Sequence, residues 1–556
     1  MFTPSAQQQL VCDSEAPTLL VLGGAGTGKT VTAAAAARVH LARRDASGSH
    51  GGRVLFLTFS RTAVTQIFDR SRGLLKDVVG RVDVLTFHGF AWQLITDFGR
   101  YAGYGTGIRL RSEAERRLLA ADPDILAYSD LLPAALRIIG MPVIGDLLRR
   151  RWPLIVCDEF QDTDALQWKL LEALAASGNR LLLLGDPNQM IYDKLPGRTG
   201  TGAARLKAAR ARRGAEQLKL KHGSYRDPSQ LLPAMAEAVR KRRFSDPAIT
   251  EALASGRLRV LTEVSEDPPA VTVCAEIRLA AEVGAKSVGV FVHSNAPTAA
   301  LSAALTARGV EHIAVGLSES YGEALSAIAT MLAYAEGTGK WEEVLLRMAV
   351  FLASAVRSKK IPALAQTLAA GTADGTLAER LGDIRLALRD APDLTAAAQV
   401  AAQSWPSLSR TGERAWKRAS AEAMLLVPFC ARLEDPVRAI AQRVAAARME
   451  SFTEIDAGDT APVQVMNLHQ TKGREADAVI IVFRNDDYHG TEGEPFPTLS
   501  RLLYVILTRA RNRVTLLLPP DPHPLIAPFA SIAGPATLAA VTRGTDRSHR
   551  YRAAGS

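Results

Sequence analysis

Apolar and polar positions along the chain fall into one recurring unit: a short apolar run, then polar or glycine-rich residues, then an amphipathic stretch. Strands buried on both faces read as near-continuous Val, Leu and Ile, so this rhythm predicts an α/β protein with a largely parallel sheet. The early runs are residues 18–22, 54–58, 82–86, 154–157 and 181–184, with Leu/Arg-rich helical sequence intervening between Trp92 and Trp152. A second set begins at 257–260, 271–274 and 288–292 and returns at 463–468, 478–483 and 514–518. Between those two groups, residues 317–456 are rich in Ala and Leu at helical spacing. Two parallel-sheet domains follow, each split by a mainly helical insertion. The first comprises 1–91 and 150–224 around an insertion at 92–149; the second comprises 225–317 and 457–534 around an insertion at 318–456; a basic tail occupies 535–556.

Composition narrows the class without naming a chemistry. The 556 residues exceed what one ordinary core organises, and 47% hydrophobic with 22% charged residues is the balance of a globular protein. A net charge of +10 favours a polyanionic partner only weakly. The four cysteines, Cys12, Cys157, Cys274 and Cys430, are too dispersed for a zinc cluster or a disulfide framework. The opening MFTPSAQQQL lacks the basic and apolar regions of a secretory signal, and no long apolar span appears. A cytoplasmic protein without a membrane partner is expected.

Chemistry enters at GGAGTGKT, directly after the first run and before an alanine-rich helical stretch. Gly23, Gly26 and Gly28 allow a tight turn whose N–H groups face inward. Lys29 would reach the β- and γ-phosphates, and the Thr30 hydroxyl would hold Mg²⁺. The acidic half is LIVCDEFQDT, where Asp158 is suited to the metal and Glu159 to orienting or deprotonating the attacking water. A lone Asp-Glu pair is usually a solvated one; the buried strand before it and the phosphate loop upstream favour the functional reading. ATP and Mg²⁺ are the cofactors these residues call for.

From DEFQDT onward the sequence resembles the UvrD/Rep-like helicases of superfamily 1, with motif after motif arriving in order. The resemblance implies two RecA-like domains of the P-loop NTPase type. It gives Gln7 the role of reading adenine, although a run of three glutamines leaves the register open. LTFSRTAVTQI and VLTFHGFAW resemble the first single-strand contact motifs, which would turn Thr58, Phe59, Ser60, Thr86, Phe87 and His88 toward nucleic acid. Hydroxyls suit phosphate and aromatic rings suit bases, although each aromatic singly is more often core. LLLLGDPNQMIYD resembles the sensor motif, with Gln189 at the γ-phosphate and Tyr192 at the strand. HGSYRD would stack Tyr225 on adenine and send Arg226 to the γ-phosphate. In HQTKGRE, His469 and Lys472 would approach the strand and Glu475 the ribose. In SRLLYVILTRARNRV, Arg509 would be the arginine finger.

The chain departs from the family pattern where a Trp-Arg pair usually follows the tyrosine: Asp193, Lys194, Leu195 and Pro196 stand there instead. Losing one stacked base costs about 1–3 kcal/mol of strand affinity. Val31 also stands where an arginine is usual. The resemblance implies a 3′–5′ translocase on single-stranded or tailed duplex DNA, with duplex unwinding to be tested and a nuclease, repair or defence protein as a candidate partner. The competing reading is a nucleotide-switched nucleic-acid sensor or recruitment subunit. A small-molecule kinase has no account for GDPNQ, HQTKGRE and VILTRA in succession. The basic stretch 204–214 reads equally well as a solvated helical face.

Overall fold

The computed structural model describes residues 3–49, 51–59, 67, 73–176, 178–192, 201–221, 223–315, 319–356, 360–430, 462–485, 487 and 497–533. Fourteen strands lie among them. In the first sheet β1 (Thr18–Gly23), β2 (Val54–Thr58), β3 (Val82–Thr86), β6 (Leu154–Cys157), β7 (Arg180–Gly185) and β8 (Ala215–Leu220) run parallel in the order β3-β2-β6-β7-β1-β8. The second orders β11 (Ile313–Val315), β12 (Val463–Asn467), β10 (Val288–Val292), β13 (Ala476–Val482), β14 (Ala510–Leu517) and β9 (Leu258–Leu261) as β11-β12-β10-β13-β14-β9, again all parallel. The protein is therefore built on two RecA-like parallel sheets. A small parallel pair, β4 (Arg109–Leu110) with β5 (Ile125–Leu126), accompanies the helices between β3 and β6.

Alternation along each strand sorts side chains onto two faces. Leu20, Leu22, Leu55, Leu57 and Ile155 share one core with helices Phe87–Phe98 and Tyr128–Ile139, while Leu19, Val21, Phe56 and Val156 pack against helix Lys29–Ala46. Ala33, Ala34 and Ala37, fully buried on that helix, let its backbone approach the sheet closely. The first helical insertion thus grows out of its lobe's own core. The second does not: helices Glu319–Ala335, Trp341–Ala355, Gly375–Arg389, Leu394–Leu408 and Glu413–Cys430 enclose a separate core around Trp405, Trp416 and Phe351. The two insertions meet where buried Glu115 pairs with Arg347 at 3.0 Å and Arg117 donates to the Ala353 carbonyl at 3.0 Å.

The sequence reading errs at 271–274, expected to be a strand. These residues lie inside helix Ala270–Glu282, whose buried Ala270, Val273, Cys274 and Ala280 recur at helical spacing. It also omits β8 and β11. The basic stretch 204–214 is mainly helix Gly202–Arg210, with Leu206 and Ala209 buried against the first core and Lys207 and Arg210 exposed. The tail 535–556 and Ser60 lie outside the described residues, as do Asp193 through Pro196. No single helix among the described residues is long and apolar enough to cross a membrane.

Trp416 is fully buried in the second insertion's core. It stacks on Trp405 at 5.4 Å, tilts against Phe351 at 5.1 Å, and donates its indole N–H to the Ala401 carbonyl at 3.1 Å. Trp416→Ala should destabilise this insertion by about 3–5 kcal/mol. Hydrogen exchange should therefore rise across helices Leu394–Leu408 and Glu413–Cys430 while the two sheets keep their protection.

Candidate nucleotide and nucleic-acid site

At the C-terminal end of the first sheet the turn after β1 opens a cavity of about 330 Å³ that both lobes line. Gly26 and Gly28 have φ of +75° and +81°, and a Cβ on Gly26 would fall 2.0 Å from the Ser224 hydroxyl. Only glycine meets both conditions. Lys29 Nζ donates to the Gly23 and Gly24 carbonyls at 2.8 and 3.0 Å, and Thr30 donates its hydroxyl to Asp158 Oδ2 at 2.9 Å. A glycine cradle, a cation and a hydroxyl-carboxylate pair therefore face one space, which is the donor set a nucleotide polyphosphate and its divalent cation require.

The two carboxylates after β6 are buried together yet held differently. Asp158 donates its backbone N–H to the Leu57 carbonyl, extending the sheet by one bond. Glu159 adopts φ +51°, a left-handed conformation costly for a side-chain-bearing residue, and so turns the chain into the helical turn Phe160–Asp162. Burial, then the Glu159 charge, push the Asp158 carboxyl up to about 6. Burial also acts to raise Glu159, but Lys472, Lys29, the Gln161 amide and Arg509 together bring it below its ordinary range. Glu159 is thus the more acidic of the two. Gln161 fixes it, donating to Glu159 Oε2 at 2.6 Å while accepting from the Asp186 N–H at 3.0 Å.

The second lobe supplies three arginines. Arg509, 3% exposed, donates to Gln189 Oε1 at 3.2 Å and to the Val505 carbonyl at 2.9 Å. Gln189 in turn donates to Asp186 at 2.8 Å. Burial, then neighbouring Arg226, lower the Arg509 guanidinium to about 10, leaving it charged at neutral pH. Arg226 pairs with Glu475 and donates to the Thr508 carbonyl. Arg511 pairs with Glu475 and Asp477, both at 3.4 Å. Glu475 thus gathers two arginines at the mouth of the cavity. Tyr225, half exposed, is pinned by its N–H to the Gly26 carbonyl at 2.7 Å.

A family profile described as an AAA domain matches residues 7–194. The RecB subunit of the RecBCD enzyme from Mycobacterium tuberculosis is 43% identical over 68 residues, which is 12% of this chain and 6% of that protein. This chain thus spans a small fraction of the RecB relative's length. The ATP-dependent DNA helicase UvrD2 of Mycobacterium bovis aligns at 24% identity over 604 residues, covering 92% of this chain and 77% of the relative. The chain is thus similar along most of its length to a UvrD-type DNA helicase. Among solved structures, the Pif1 helicase from Candida albicans covers 56% of each chain at 14% identity and a TM-score of 0.31, too loose a likeness to inform the geometry.

The residues expected at the strand divide into three groups. Phe59, Tyr192, His469 and Lys472 come together: Phe59 stacks on Tyr192 at 5.7 Å, His469 lies 6.4 Å from the same ring, and the Lys472 ammonium stands 5.3 Å from its centroid. Tyr192 donates its hydroxyl to the His469 carbonyl at 2.7 Å, so the cluster spans both lobes. Thr86 and His88 lie apart. The Thr86 hydroxyl caps helix Phe87–Phe98 by accepting from the Gly89 N–H, and His88 stacks on Tyr128 at 3.7 Å. Burial lowers His88 to about 4, so the ring is neutral at pH 7.

Thr58 and Phe87 are buried, against expectation. Thr58 ends β2 with no exposure, and Phe87 faces the core with Phe90, Ala91 and Leu94. Lys472 also differs from its expected role at the strand surface: 8% exposed, it forms an ion pair with Asp162 and donates to the Gln189 carbonyl. It inserts a second-lobe cation beside the Asp158–Glu159 pair.

The structure sets Gln8, rather than the expected Gln7, beside Gly28. Gln7 accepts from the Lys221 N–H at 3.0 Å, whereas a Cβ on Gly28 would lie 3.0 Å from the Gln8 amide nitrogen and 3.3 Å from the Tyr225 ring. The helical period carried the signal, since Gln8 shares its buried face with Val11 and Cys12. Arg511 was missed too, although it sits two residues beyond Arg509 at the start of β14, where alternate positions share a face. Gln8→Ala should weaken nucleotide affinity several-fold and Gln7→Ala should leave it within about twofold, the first losing and the second retaining a hydrogen-bonding amide at the cavity. Titration with a fluorescent adenine nucleotide separates the two, and equal effects would return the register to Gln7.

Proposed function

We propose that the protein is an ATP- and Mg²⁺-dependent translocase on single-stranded DNA, moving 3′ to 5′ and able to separate a tailed duplex. The observation that carries this reading is the Arg509–Gln189 hydrogen bond, which joins the second lobe to the first beside Lys29, Asp158 and Glu159. A site completed only by contact between two lobes links hydrolysis to their relative movement. Mg²⁺, when bound, neutralises charge on the phosphates, and Thr30 with Asp158 are the residues that would hold it. Glu159, ionised and fixed by Gln161, orients the attacking water and accepts its proton. Gln189 senses the γ-phosphate, while Lys29, Arg226 and Arg509 offset the charge that develops on it. At the other end Tyr225 stacks on adenine, Gln8 contacts its edge, and Glu475 lies by the ribose.

The cluster of Phe59, Tyr192 and His469 is the proposed strand contact, backed by the buried Lys472, with Thr86 and His88 further along. Aromatic faces hold bases without regard to sequence. Burial of Thr58 and Phe87 reduces the contacts available and favours the sensor reading to that extent; stopped-flow release from end-labelled strands of increasing length distinguishes the two, since a sensor shows no length-dependent lag. The short stretch shared with RecB supports a nuclease complex as the setting, and co-purification of a nuclease tests it.

ATP hydrolysis should rise on addition of single-stranded DNA. Arg509→Ala should lower the stimulated rate by about 10³–10⁵ with ATP binding retained, the span typical of arginine fingers. Undiminished turnover in that variant would sink the two-lobe mechanism.

A further inference from the structure

Tyr504 makes a contact that neither the phosphate chemistry nor the strand surface uses. It lies on helix Pro497–Leu507, is 6% exposed, and belongs to the second lobe. Its hydroxyl accepts the backbone N–H of Ala25 at 3.3 Å, across 479 positions of sequence. Ala25 is in the phosphate loop and lines the nucleotide cavity. A Cβ on neighbouring Gly24 would stand 3.4 Å from the same hydroxyl oxygen, so the loop and the tyrosine are closely apposed.

What gives this bond its meaning is the short, stiff path from Tyr504 to Arg509. The Thr508 N–H donates to the Tyr504 carbonyl at 3.0 Å, closing the last helical turn. The Val505 carbonyl accepts both the Thr508 hydroxyl and Arg509 Nε at 2.9 Å. Arg226 donates to the Thr508 carbonyl from the other side. Tyr504 and Arg509 therefore move as one body. That body touches the first lobe at two points of the phosphate site, the Ala25 amide and the Gln189 side chain.

We infer that Tyr504 is a positioning residue for hydrolysis, its hydroxyl tethering the phosphate loop to the helix end that presents Arg509. Without the tether the guanidinium can still enter the cavity, but the helix end that presents it loses its direct bond to the phosphate loop. Burial, then the Asp186 carboxylate, raise the phenol well above its ordinary range, so it remains a neutral acceptor at any working pH. The inference rests on the hydrolytic reading above.

Tyr504→Phe removes the hydroxyl and keeps the ring. Expected in DNA-stimulated steady-state assays is a two- to tenfold fall in kcat, the factor one ordinary hydrogen bond represents, with KM for ATP within twofold and the melting temperature unchanged. In an Arg509→Ala background the same change should cost nothing further, because there is no finger left to position. A kcat equal to wild type, a KM that rises while kcat holds, a lowered melting temperature accounting for the loss, or an undiminished penalty in the Arg509→Ala background would each overturn the assignment. Failure of the hydrolytic reading looks different: wild type itself, binding nucleotide, would show no turnover.

Discussion

Two second-lobe cations buried in the first lobe set the terms for the rest of the molecule. Arg509 and Lys472 are each more than nine-tenths buried, and a charge in that setting is costly unless paired and hydrogen-bonded. Lys472 meets this with Asp162 and the Gln189 carbonyl, Arg509 with Gln189, Thr508 and the Val505 carbonyl. Separation of the lobes would leave Asp162 and Gln189 without these partners. The cost of breaking the contacts and the cost of exposing the site are thus the same cost, and it can be offset by whatever enters between the lobes. A triphosphate brings negative charge to a cavity lined by Lys29, Arg226, Arg509 and Arg511 against Asp158, Glu159 and Glu475.

The same contacts explain how the strand surface and the nucleotide site can communicate. Lys472 touches Asp162, whose neighbour Gln161 fixes Glu159, and it lies under the Tyr192 ring that stacks on Phe59. A base displacing or reorienting Tyr192 would act on Lys472 within one contact and on Glu159 within four. This is a chain of packed and hydrogen-bonded groups with a second lobe at one end, which is the physical requirement for coupling. Reading Lys472 as a surface contact conceals this, because a buried cation is screened far less than a solvated one and responds more strongly to a charge change nearby.

Most of the architecture was legible because parallel strands are buried on both faces and announce themselves as Val, Leu and Ile runs. Where the reading failed, a longer period had been overlooked. Residues 271–274 look like a strand in a four-residue window, but Ala270, Val273, Cys274 and Ala280 recur on one helical face. Phe87 shares a face with Phe90, Ala91 and Leu94, and Gln8 shares one with Val11 and Cys12. β8, with the sequence AEQLKL, is an edge strand whose side chains are mostly exposed, so it carries no apolar run. Thr58 is a different failure: its position at the end of β2 was legible, but its burial follows from packing between distant segments.

The phosphate loop was specified by spacing because its requirements are local: glycines at positive φ, one lysine, one hydroxyl. The completing arginines were not local in that sense. That Arg509 meets Gln189 follows from where two sheets place their C-terminal ends, a relation spanning 320 positions that no window reads. Motif order stood in for it. A motif names residue types that recur together; it does not say which are held by backbone, which by another side chain, and which by the opposite lobe. Here those three supports differ sharply, since Thr30 leans on Asp158, Glu159 on Gln161, and Arg509 on Gln189. Only the last of these is broken by moving one lobe against the other, which makes it the contact through which hydrolysis can be made conditional on movement.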